Sequence, residues 1–93
     1  MVIVYYATIE ARGWTIVYAE IIRKRLVEER KKAGYTQRDI ADKIKEPPSK
    51  IAKIETGFQS PDAETIGKLA EFYNVSTDWL FGLGQKRQEK HYS

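Results

Sequence analysis

The chain has 93 residues, 42% of them hydrophobic and 31% charged, with a formal net charge of +3. That length holds one domain, and the apolar share is enough for a folded core. There is no cysteine, the single histidine is His91 near the C-terminal end, and no apolar run is long enough for a membrane span. Disulfide frameworks, thiolate metal sites, a zinc cluster and a His-dependent triad are therefore excluded.

Residues 2–9 and 14–18 are rich in β-branched and aromatic side chains, with Glu10, Ala11, Arg12 and Gly13 between them. This pattern predicts a β-hairpin over residues 1–18, with Gly13 in the left-handed position of its loop. Both faces of such a ribbon would be largely apolar. Val4, Tyr6, Trp14, Ile16 and Tyr18 are then candidates for contact with a second copy of the chain. The other reading of this stretch is a loose extension. The segment lacks the basic start of a signal peptide, so a cytoplasmic location is expected.

From about residue 19 the apolar spacing becomes helical, with Ile22 and Leu26 four apart, and Gly34 supplies a left-handed stop. Thr36 opens a second helix in a capping-box pattern with Asp39, and Ile40, Ala41 and Ile44 form its apolar face. Glu46 before Pro47 and Pro48 ends it, because a residue preceding proline avoids helical geometry. Pro48 suits the first position of a third helix, with Ile51, Ala52 and Ile54 inside and Gly57 as its stop. Its outer face is Ser49, Lys50, Lys53 and Thr56, all able to meet phosphates or base edges. Asp62 caps a fourth helix carrying Ile66, Leu69, Ala70 and Tyr73, and Asn74 ends it. Ser76 caps a short fifth helix with Trp79 and Leu80, ended by Gly82 and Gly84. Trp79 belongs either to the core or to a dimer interface. Residues 85–93 form a polar tail that is expected to fray. The domain proper is thus residues 19–84, all-α and compact, with five short helices.

Charge is spread unevenly over these elements. Residues 23–53 hold eleven Lys or Arg against five Asp or Glu, whereas residues 54–84 hold only Lys68 against five acids. The basic stretch either faces a polyanion or solvates helix faces. The same alternatives apply to Arg23, Lys24 and Arg25.

Residues 36–56 have the spacing of a helix-turn-helix unit. Thr36 and Gln37, then Ile51, Ile54, Glu55 and Gly57, then Leu69, Ala70, Tyr73, Asn74, Val75 and Ser76 stand at spacings that resemble the lambda-repressor/Cro-like, Xre-type helix-turn-helix family. The resemblance covers about residues 20–82. It implies a five-helix DNA-binding fold and a nucleoid-associated transcriptional regulator. Such a protein acts as a repressor and homodimer on double-stranded DNA, with the third helix in the major groove. Gln37 matches the family glutamine that binds a phosphate and braces a base-reading side chain. Thr36 and Arg38 flank it at a helix N-terminus suited to phosphate. Pro48, Ser49, Lys50 and Lys53 match positions that enter the groove, and Thr56 with Phe58 and Gln59 match positions that touch backbone phosphates. Arg30 and Glu55 match a structural ion pair. Pro48 stands where the family often has glutamine, which leaves base reading to Ser49, Lys50 and Lys53. No enzyme activity, cofactor or metal is expected. The alternative function is a protein-interaction module, such as an antitoxin whose apolar N-terminal hairpin docks a toxin.

Overall fold

In the computed structural model, residues 2–87 are described, with side chains from Val17 onward. Five helices follow in chain order: α1 Val2–Ala33, α2 Gln37–Ile44, α3 Pro48–Glu55, α4 Ala63–Tyr73 and α5 Thr77–Leu80. No strand occurs among the described residues; the single β-bridge joins Val75 to Arg87 in antiparallel sense.

The ends of the short helices follow from their own residues. The Asp39 N–H donates to Thr36 Oγ1 and the Thr36 N–H donates to Asp39 Oδ2, both at 3.0 Å, closing the capping box that starts α2. Asp62 accepts from the Thr65 N–H and from the Thr65 hydroxyl to start α4, and Ser76 Oγ accepts from the Trp79 N–H to start α5. Gly34 and Asn74, at φ 81° and 58°, turn the chain out of α1 and α4 in the left-handed conformation. The stop of α2 differs from the expected one. Lys45 takes φ 60° there, and the chain leaves the helix before the prolines act. Pro48 instead opens α3.

The predicted hairpin over residues 1–18 is not what forms. α1 is one uninterrupted helix of 32 residues, about 48 Å long at 1.5 Å per residue. Gly13 lies within that helix. The physical reason is cooperativity. Each residue added to an existing helix gains a hydrogen bond without a new nucleus, and β-branched residues oppose this by only a few tenths of a kcal/mol each. A lone two-stranded ribbon is at best marginally stable in water.

The core lies where α1, α2, α3, α4 and α5 converge. It is built from Ile22 and Leu26 of α1, Ile40, Ala41 and Ile44 of α2, Ile51 and Ile54 of α3, and Ile66, Leu69 and Ala70 of α4, closed by Val75 and Leu80. Ala41 is fully buried, so a larger side chain there would push α2 off its neighbours. The start of the tail does not fray. The Ser76 N–H donates to the Lys86 carbonyl at 2.8 Å and Lys86 Nζ pairs with Glu29 at 3.0 Å. His91 lies outside the described residues. No helix among the described residues is long and apolar enough to cross a membrane.

Candidate nucleic-acid interface

The α2–α3 pair is the structural centre of the basic stretch. Ile44 before the turn and Ile51 after it are both buried, which fixes α3 against α2 and decides which side of α3 is left outside. Ser49, Lys53 and Thr56, spaced four and three apart, are exposed on that side, as is Pro48 at the helix start. Lys53 has no ion pair among the described residues. The Thr56 hydroxyl donates back to the Ala52 carbonyl at 2.9 Å, so it offers only its lone pairs outward. Phe58 and Gln59 follow in an exposed loop, tied to α3 by N–H donation from both residues to the Lys53 carbonyl.

Beside this face stands the N-terminus of α2. Its first N–H groups have no intrahelical partner, and its dipole end is positive. Thr36 satisfies the Asp39 N–H, which leaves the N–H groups of Gln37 and Arg38 for an external acceptor. The Arg38 side chain is exposed.

A buried network ties that terminus to the far end of α3. Arg30 of α1 grips Glu55 in a forked pair, Nε to Oε2 at 2.7 Å and Nη2 to Oε1 at 2.9 Å, and its third arm donates to the Tyr35 carbonyl at 2.7 Å. The Glu55 carboxylate raises the guanidinium's affinity for its proton above the ordinary arginine value, chiefly by hydrogen bonding. Gln37 Nε2 donates to the same Glu55 oxygen at 2.9 Å. The Gln37 side chain is therefore braced by the same carboxylate that holds Arg30.

Several residues singled out in the sequence are engaged elsewhere. Lys50 turns back from the outer face: its ammonium meets Glu46 at 3.2 Å and Asp62 at 3.1 Å, and its side chain is only 24% exposed. Arg23 bonds Glu20 and the Glu55 carbonyl, and Arg25 lies over the Trp79 ring at 4.5 Å. Lys86 approaches the same ring at 5.1 Å. Trp79 thus contacts two cations, one of them from the start of the tail. Tyr18 packs on Phe81 with ring centroids 6.0 Å apart. Val4, Tyr6, Trp14 and Ile16 lie where side chains are not described. Glu46 and Asp62 were not singled out as site residues. The four-residue step from Glu46 to Lys50 was a readable signal, but the arrival of Asp62 beside them needs the fold.

Two short helices packed through a tight turn, with a polar outer face carrying Lys53 beside an open helix N-terminus, define a helix-turn-helix, and the family model of that description matches residues 26–80. The chain belongs to this helix-turn-helix family, in its Cro/C1-type branch. It is similar to the HTH-type transcriptional regulator ImmR of Bacillus subtilis (strain 168), with 46% identity over 59 residues. That match takes in 63% of this chain and 46% of the regulator, so the chain corresponds to about half of that protein's length.

Proposed function

We propose that this protein is a sequence-specific, double-stranded DNA-binding transcriptional regulator that represses as a homodimer, with α3 in the major groove. The observation that carries the reading is the exposed Ser49, Lys53 and Thr56 face held beside the Gln37 end of α2 by the Arg30–Glu55–Gln37 network. In this reading Gln37 and the free N–H groups of α2 take one phosphate, and Arg38, Thr56 and Gln59 take others. Ser49 and Lys53 meet base edges, and Pro48 offers only apolar contact, for example to a thymine methyl. A single recognition helix reads few base pairs, and pairing two half-sites about 34 Å apart multiplies specificity.

Selection of bound duplexes from a random library near physiological salt tests this. An enriched palindrome with half-sites one turn apart is the expected result. Binding without enrichment, vanishing as salt rises, would reduce the protein to a non-specific phosphate binder.

A further inference from the structure

Lys50 and Lys53 stand on the same two-turn helix, three residues apart, yet only one of them is available. Lys53 is exposed. The Lys50 ammonium is enclosed by two carboxylates from different elements, Glu46 from the turn before α3 and Asp62 from the N-cap of α4. Glu46 is itself fixed, since its second oxygen takes Lys68 at 2.7 Å and its side chain is only 12% exposed. Lys50 and Lys68 thus interlock with Glu46 and Asp62 at the junction of α2, α3 and α4. Glu64 adds a third carboxylate at the edge, 3.9 Å from Lys68.

We propose that Glu46 and Asp62 are specificity-determining residues that withhold Lys50 from DNA. The inference rests on the DNA-binding reading above. A free lysine at this position would add one phosphate contact on any duplex. Such contacts raise affinity for all sequences alike, and each steepens the salt dependence by about 0.9 in log–log slope. Holding Lys50 inside the cluster removes that sequence-blind contribution. It leaves recognition to Ser49 and Lys53, and places Asp62, with a 45% exposed side chain, where it repels a misplaced phosphate. The arrangement weakens binding overall and widens the ratio between right and wrong sites.

The test uses the full chain on a selected duplex and a scrambled duplex of equal length, across a salt series. The variants are Glu46→Gln with Asp62→Asn, the same pair with Lys50→Ala, Lys50→Ala alone, and Glu71→Gln. Asparagine keeps the cap of α4 and glutamine keeps an acceptor for Lys68, so the fold is retained. Glu71→Gln removes a carboxylate from α4 without touching the cluster. Opening the cluster should tighten scrambled-duplex binding roughly threefold or more and steepen its salt slope by about 0.9 per bound protomer. Adding Lys50→Ala should return the salt slope to that of the parent and leave only the affinity gain due to the two removed negative charges. Lys50→Ala alone should leave the selected-to-scrambled ratio within about twofold, as expected for a residue that reads no base. The proposal is overturned if the steeper salt slope survives Lys50→Ala, if Glu71→Gln gives the same slope change, or if Lys50→Ala alone lowers the ratio tenfold. If the unaltered protein binds no duplex even at low salt, the DNA-binding reading fails first and takes this one with it.

Discussion

The start of α1 and the α2–α3 pair are built on opposite logics. Every boundary of the pair is fixed by a named local device: the Thr36–Asp39 capping box, the left-handed Lys45, Pro48 at the first position of α3 and the left-handed Gly57. Residues 2–18 contain no such device, and helix simply continues through Gly13. Strand-forming composition is a weak preference that needs a partner strand to express itself. Where no partner and no stop signal exist, propagation of a neighbouring helix prevails. The lesson is that punctuation outweighs propensity in a chain this short.

The sharpest way to break the ordered side of this comparison is to cut its network. Arg30→Ala leaves the Glu55 carboxylate buried with its forked partner gone; the two side chains are 13% and 8% exposed. Removing one member of a buried pair costs about 3–5 kcal/mol. Denaturant melts should show that loss, and the Glu55 carboxylate that braces Gln37 should lose its own anchor, so duplex affinity under folding conditions should fall as well. A variant as stable as the parent would mean that Glu55 finds solvent or another donor. Thr36→Ala is the milder cut, removing one half of the capping box for about 0.5–2 kcal/mol.

On the other side, Gly13→Ala decides between helix and hairpin by sign alone. In a continuous α1, alanine favours the helix by about 0.5–1 kcal/mol, and helicity in circular dichroism should rise. In a hairpin with Gly13 left-handed, the same change would be strained and destabilising. A fall in stability would restore the two-stranded ribbon that the composition of residues 2–9 and 14–18 suggested.

What was legible in the sequence follows the same division. The five helices of the domain, the caps at Thr36, Asp62 and Ser76 and the stops at Gly34, Gly57 and Asn74 are all local signals, each carried by a residue type with one physical use. The buried stripe was legible too, because Ile22, Leu26, Ile40, Ile44, Ile51 and Ile54 keep helical spacing. Side-chain destinations were not. Lys50 has the composition of a base-reading residue, and only the tertiary approach of α4 brings Asp62 to it. Arg23 and Arg25 belong to a basic run by sequence, yet they serve Glu55 and Trp79 from the inner side of α1. The tail was expected to fray because it is polar. Lys86 instead finds Glu29 and Trp79, one an ion pair and the other a ring face. Charge says that a residue can meet phosphate, and only packing says whether it is free to do so.

The smallest expected effect lies at the joint between the two logics, where the cap of α4 also holds Lys50. Hydrogen bonds from Thr65, then from Lys50, keep the Asp62 carboxyl ionised and bring its pKa down to about 2. The unfolded chain binds that proton at the ordinary value near 3.9. A depressed folded-state pKa adds stability that is complete above the unfolded value and disappears as pH falls through the folded one. The contribution should therefore be constant at neutral pH and be lost between about pH 4 and pH 2. Asp62→Asn keeps the cap but cannot titrate. Its stability should run parallel to the parent's and below it above pH 5, and decline less steeply below pH 4, so that the two converge in acid. Parallel acid curves for the two proteins would show that the Asp62 carboxylate, and with it the Lys50 cluster, is not held together in solution.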